Sequence, residues 1–180
     1  RWPEGLFPPY VERSLLALVP DADVSVAFES DPDQMLARRD RSTRAIETAL
    51  GASGIIRRAD GKPEARDGRN VSASHCGDLT MAVAAHSAVA CDLELVMTRP
   101  AETWCDMLGV ERFKLAEILC RETQETLDVA ATRVWTAVEC LEKVGAGMRV
   151  AEIRALIRKA GIGHVGLQES VAMIAAGLGW

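Results

Sequence analysis

No stretch of this sequence is apolar for long enough to cross a bilayer, and no secretory signal pattern is present. A membrane-spanning or exported chain is therefore not expected. The cysteines, Cys76, Cys91, Cys105, Cys120 and Cys140, lack any CxxC pair or Cys/His ligand spacing. Their pattern argues against a disulfide frame or a zinc site and predicts buried thiols in a reducing, cytoplasmic compartment. A surplus of positive charge is missing too, and the formal net charge of −5 argues against general nucleic-acid binding. The first residue is Arg1 rather than Met, so a processed protein or a piece of a longer one is expected. What is present is 180 residues, 48% hydrophobic and 26% charged. That is enough for one domain, or two small halves, with a substantial core.

The stretch from Asn70 to Val96 organises the chain. Its small apolar runs, Leu79–Ala85 and Val89–Cys91, are short and broken by turn formers around Ala85-His86-Ser87-Ala88. Two strands joined there as a hairpin fit better than a helix. Asp92 and Glu94 continue the second strand and, two apart, project from the same face. Two such carboxylates repel unless something holds them ionised. A hard divalent cation such as magnesium would do so; an exposed strand end with two solvated acids is the plainer alternative.

Residues 128–147 read as a second organising element, a helix with Asp128 as N-cap and Gly145 near its stop. Trp135, Glu139 and Lys143 recur every fourth residue and form one stripe. A Glu four residues before a Lys is commonly only a surface ion pair, but a Trp at the head of the stripe is unusual on a solvated face.

Val-Ser-Ala-Ser-His-Cys (71–76), Cys-Asp-Leu-Glu (91–94) and Trp-Thr-Ala-Val-Glu-Cys-Leu-Glu-Lys-Val-Gly (135–145) together resemble the signature of surfactin-type 4′-phosphopantetheinyl transferases. That family carries a Ser-His pair, an Asp-x-Glu pair and a Trp-[Ser/Thr]-x-x-Glu-x-x-x-Lys helix in this order. Gly61-Lys62-Pro63 matches a further motif just upstream. The resemblance spans roughly residues 36–147.

The resemblance implies an α+β fold of two similar halves, a pseudo-dimer with the active site in the cleft, divided here as 1–96 and 97–180. It implies Mg²⁺-dependent transfer of the phosphopantetheine arm of coenzyme A to a serine of an acyl or peptidyl carrier protein domain, with release of 3′,5′-ADP. Asp92, Glu94 and Glu139 would hold the metal, and Glu139 would also act as general base, directly or through water. Lys143 would contact phosphate and stabilise the leaving group, while Trp135 packs the helix onto the sheet. Arg44, Lys62, Pro63, Ser74 and His75 would bind coenzyme A, His75 at its 3′-phosphate. Arg41 and Arg39 are second choices to Arg44, because no motif fixes that register.

Several departures from the pattern stand in the motifs. Val138 replaces a frequent Lys, Cys140 a small residue, Cys91 a Gly and Cys76 a Ser. A side chain at 91 sits where Gly allows close backbone approach, so weak activity or a narrow carrier preference is one expectation. After residue 147, where the family continues mostly in strands, Val150–Ala160 reads as a helix with Ile153, Leu156 and Ile157 inward, and Ser170–Ala176 as a strand. An active transferase, either stand-alone or an integrated domain of a polyketide or fatty-acid synthase, is the leading expectation. A catalytically inactive relic bracing a larger synthase or binding its carrier domains, and a Mg²⁺-dependent phosphohydrolase, are the alternatives.

The remaining stretches are structural in pattern. Tyr10–Val19 follows Pro8-Pro9 as a short helix, and Val24–Phe28 alternates as a strand. Residues 34–51 form a helix bearing Arg38, Arg39, Arg41 and Arg44 and ending at Gly51, with a solvated basic face or phosphate contact both open. Residues 52–70 are a basic loop in which Pro63 biases Lys62 towards extended backbone. His86 and His164 match no motif. Residues 97–127 are helical, broken at Gly109, with Trp104, Met107, Leu108, Phe113, Leu115, Ile118 and Leu119 as core contacts.

Overall fold

The computed structural model describes residues 23–31, 33, 35–145, 149–151 and 153–154, and the backbone of 163–164 and 170–176. The described chain is a mixed α+β structure with small antiparallel sheets and four helices. The helix expected at Tyr10–Val19 lies outside the described residues, as do Leu156 and Ile157. Val150, Ala151, Ile153 and Arg154 are helical, and Ile153 is fully buried.

The first sheet has the order β1 (Val24–Ser30), β5 (Leu79–Ala85), β4 (Asn70–Cys76), all antiparallel. Every residue of β5 is buried, which explains why its sequence is apolar except at Thr80 rather than alternating. On one face Ala27, Ala82 and Ala84 pack under Ala45, Ile46 and Ala49 of helix α1 (Arg38–Leu50). On the other, Val26, Met81 and Val83 meet Cys91 and Leu93 of β6 (Val89–Leu95). Small alanines on the helix side let α1 sit close to the sheet. Helix α1 starts at Arg38 rather than 34, because the Asp31 carboxylate holds the Met35 and Leu36 amides (3.1 and 2.8 Å) in a turn before it. It ends as expected at Gly51, whose φ of +65° a side chain would resist.

The expected hairpin does not form. β5 and β6 begin and end near their predicted places, but β5 pairs with β1 and β4 while β6 pairs antiparallel with β8 (Ser170–Ala176) in a second sheet, order β6-β8-β7. The tight hairpin is instead β4–β5, through Gly77-Asp78, with Gly77 at φ +60° in the first loop position. Between α1 and β4, β2 (Ile56–Arg57) and β3 (Pro63–Glu64) close a two-stranded ribbon, and β7 is Gly163–His164.

Helices α2 (Ala101–Leu108), α3 (Val110–Thr123) and α4 (Leu127–Lys143) surround a second core. Trp104, Leu108, Leu115, Leu119, Val134, Val138 and Leu141 are buried there, with Met107 and Phe113 packed at the edge, and Ile118 is partly buried. The break at Gly109 is present. Asp128 is not the N-cap of α4. That position belongs to Thr126, whose Oγ1 accepts from the Val129 amide, while Asp128 Oδ1 accepts from Trp104 Nε1 (2.8 Å) and the Arg99 amide (3.1 Å). Asp128 ties the start of α4 to α2. No helix among the described residues is long and apolar enough to cross a membrane. Cys76, Cys91 and Cys140 are buried free thiols as expected, whereas Cys105 and Cys120 are only partly so.

Candidate functional site

β6 divides its side chains between the two cores, as a strand with period two must. Cys91 and Leu93 enter the core under the first sheet, while Ala90 packs into the core of the α-helices. Asp92 and Glu94 share the face of Ala90 and so look towards α4. The four-residue stripe on α4 points its polar members back at them.

Asp92 is the most deeply placed of these groups, 3% exposed. Its Oδ1 accepts from Ser74 Oγ at 2.8 Å and from Lys143 Nζ at 2.9 Å. Its Oδ2 is buried and has no hydrogen-bond partner. An orphaned carboxylate oxygen in a low-dielectric place is costly unless another ligand meets it. Lys143 also donates to the Cys91 carbonyl (2.9 Å), so its ammonium bridges strand and helix. Burial works against its charge, but Asp92 outweighs this and raises the ammonium above the usual lysine range.

Glu94 and Glu139 flank this pair. Burial, then the charge of Asp92, raises the Glu94 carboxyl above its ordinary value, partly offset by a side-chain hydrogen bond with Trp135. The same two causes, with Glu142 added, raise Glu139. Trp135 thus does more than pack against the helical core; it steadies a carboxylate. Among the described residues no group of three or more His, Cys, Asp or Glu converges as a ready-made metal cage. The donor chemistry nevertheless fits a hard cation, with three mutually repelling carboxylates and one bare, buried oxygen on the innermost.

The other flank is basic. His75 Nδ1 lies 2.8 Å from Thr80 Oγ1. Burial first, then the cations of Arg38, Arg41, Lys143 and Arg57, push its pKa down to about 4. A neutral imidazole crowded by four cations marks a place where a polyanion would be welcome. Arg41 is 8% exposed, with Nη1 on the Gly77 carbonyl (3.1 Å) and Nε unpaired. Arg57 is pinned to α1 through Ser42 Oγ (3.0 Å) and Thr43 Oγ1 (3.1 Å).

The predicted residues are thus partly gathered. Asp92, Glu94, Glu139 and Lys143 form one charge cluster joined to Ser74 and, through Lys143, to His75. Lys62 and Pro63 line a cavity of about 500 Å³ with Arg58, Arg69, Ser72 and Lys143. Arg44 is exposed and stands outside the cations facing His75, where Arg41 stands instead. Helix register decides this: Arg41 falls on the buried face with Ala45, and Arg44 does not. Ser74 spends its hydroxyl on Asp92 and on the Leu93 amide (3.2 Å), so it positions the carboxylate rather than lying open to a ligand.

Two residues escaped the sequence reading. Ser72 Oγ accepts from the Cys91 amide at 3.3 Å, repeating the Ser74–Leu93 bond one step along the strand. The signal was there, since Ser72 and Ser74 are two apart on one face of an otherwise small apolar strand. The second is Arg57, to which the sequence points only through the basic character of residues 52–70. The Cys91 thiol, pushed up to about 12 by burial, is held in its protonated form. Comparison with protein-family models finds no match to this chain, and comparison with curated proteins finds none either.

Proposed function

We propose that this chain transfers the 4′-phosphopantetheine arm of coenzyme A to a serine hydroxyl of an acyl or peptidyl carrier protein domain, releasing 3′,5′-ADP. The observation that carries the proposal is Asp92. Its Oδ2 is buried and bare, and its Oδ1 is held by Lys143 and Ser74, beside two repelled glutamates and a cluster of cations. Acids on one side and cations on the other suit a metal-bound pyrophosphate. The finer fold proposed is the transferase-like pair of halves, supported by two three-stranded antiparallel sheets that adjoin at β4 and β6, where Ser72 and Ser74 bond the β6 amides.

Asp92, Glu94 and Glu139 would hold Mg²⁺, which when bound neutralises charge on the pyrophosphate. The carrier serine oxygen attacks the β-phosphorus, forming one P–O bond as the bridging P–O bond to the α-phosphate breaks. Glu139 takes the serine proton, directly or through water; burial and the neighbouring charge of Asp92 raise its carboxyl above the ordinary value, which strengthens it as a proton acceptor. Lys143, one helical turn on, meets the charge that develops on the departing 3′,5′-ADP. Arg38, Arg41, Arg57 and His75 receive the remaining phosphate, and Lys62 and Pro63 line the adjoining cavity.

The test is mass spectrometry of apo carrier proteins incubated with this chain, coenzyme A and Mg²⁺, beside Asp92→Ala and Glu139→Ala. The expected result is a gain of one phosphopantetheine with the parent chain and none with either variant. No gain on any of several carriers, with no coenzyme A binding by calorimetry, overturns the proposal in favour of a non-catalytic module.

A further inference from the structure

The β2–β3 ribbon carries Lys62 and Pro63, yet none of its side chains belongs to a hydrophobic core among the described residues. Each strand has two residues, and a two-stranded ribbon is at best marginally stable by itself in water. Ile56, Arg58, Lys62 and Glu64 are exposed, and Arg57 and Pro63 are only partly covered. The place of the ribbon therefore depends on polar contacts.

Those contacts run along helix α1. Near its C-terminal end, Glu47 Oε1 accepts from the Gly54 amide at 2.6 Å, and Arg69 Nη2 donates to the Leu50 carbonyl at 2.7 Å. Both ties lie outside the ribbon itself. Arg57, within β2, reaches the other end of the helix. Its Nη2 donates to Ser42 Oγ (3.0 Å), Thr43 Oγ1 (3.1 Å) and the Arg39 carbonyl (3.3 Å), and its Nη1 to the Gly61 carbonyl in the ribbon's turn (3.4 Å). The Ser42 and Thr43 hydroxyls each donate to the Arg39 carbonyl at 2.9 Å, which fixes all three oxygens as one acceptor set. Every one of these partners is a neutral oxygen. Burial and the neighbouring charge of Arg39 both disfavour the guanidinium there, so hydrogen bonds, not an ion pair, hold it.

We infer that Arg57 is a positioning residue: forked between α1 and the Gly61 turn, it sets the place of Lys62 relative to Arg38 and Arg41, and through Lys62 the affinity for coenzyme A. The inference rests on the proposed function, since it takes these cations to face the phosphates of coenzyme A. The charge of Arg57 also reaches His75, so charge and clamp must be separated. The acceptors on α1 allow this, because removing their hydroxyls leaves the guanidinium in the chain.

The variants are Arg57→Met, which removes clamp and charge together, and Ser42→Ala/Thr43→Ala, which loosens the clamp alone. Alanine suits a helix interior, so the second variant should fold even where the first does not. The Arg58 and Gly61 amides, bonded within the ribbon to the Lys62 and Arg58 carbonyls at 2.9 Å each, report on the clamp by hydrogen exchange. In both variants they should exchange about tenfold faster, and the coenzyme A dissociation constant, read by calorimetry, should rise by a comparable factor. In a Lys62→Met background the two alanines should add no further loss of affinity, because the group they misplace is gone.

Unchanged exchange and affinity in Ser42→Ala/Thr43→Ala overturn the inference; a loss in Arg57→Met alone then assigns Arg57 to charge. Faster exchange with unchanged affinity overturns it as well, and so does a loss that persists undiminished in the Lys62→Met background. None of these outcomes touches the proposed function. Failure of the parent chain to bind coenzyme A overturns that function and the inference with it.

Discussion

His75 and the two glutamates carry opposite debts to their surroundings, and pH exposes both. The His75 pKa of about 4 lies below the ordinary 6.5 because burial and four neighbouring cations oppose its protonation. The unfolded chain therefore binds that proton more readily, and the stability held above pH 6.5 is lost as pH falls towards 4. A ¹⁵N-resolved titration should place the His75 midpoint near 4 in the free protein and move it upwards when coenzyme A supplies phosphate. A midpoint near the ordinary value would mean that the cations do not converge on the ring.

Glu94 and Glu139 run the other way. Their folded pKa values lie above the ordinary 4.5, so the folded chain holds their protons longer. Their contribution is most favourable below pH 4.5 and declines as pH rises through the raised values. Glu139→Gln should thus melt at a higher temperature than the parent at pH 7 and show a flatter decline with pH. Mg²⁺ with coenzyme A should narrow the gap by stabilising the parent. A lower melting temperature for the variant at pH 7 would show that Glu139 is held by a favourable partner rather than repelled.

At the scale of elements, the joint between β4 and β6 is made of side chains. Ser72 and Ser74 accept from the Cys91 and Leu93 amides at 3.3 and 3.2 Å, in place of a backbone ladder between strands that belong to different sheets. The hydroxyl of Ser74 also donates to Asp92. Ser74→Ala leaves a buried amide and a carboxylate oxygen short of a partner and should cost about 1–3 kcal/mol in denaturant unfolding. Under the proposed function, its effect on transfer should fall on kcat more than on coenzyme A affinity, because the cations around His75 are untouched. A loss confined to affinity would return Ser74 to direct contact with the ligand.

For the whole molecule, β6 is the shared member. It gives Ala90 to the core of the α-helices and Cys91 and Leu93 to the core under the first sheet. Two regions built on one strand should not melt apart. Leu93→Ala and Leu141→Ala, each removing a fully buried side chain from a different core, should each lower stability by about 2–5 kcal/mol. Circular dichroism and tryptophan fluorescence should follow one transition in both variants. Separate transitions would show that the cores are independent.

The sequence alone determined the local elements and the polarity of the site. Alternation and apolar runs placed β1, β5 and β6, and Gly51 and Gly109 marked helix limits, because these signals depend on neighbours a few residues away. Spacing of two in Asp92 and Glu94, and of four in Trp135, Glu139 and Lys143, put each set on one face for the same reason. Pairing was another matter. An apolar strand after a turn can pair with the strand before it or with one far along the chain, and only packing decided that β6 joins β8. Register around the axis of α1 likewise chose Arg41 over Arg44, since four arginines in seven residues leave every face basic. The bare oxygen of Asp92, and the lysine and serine holding the other, belong to the tertiary structure alone. They depend on burial and on partners 18 and 51 residues away, which no local pattern records.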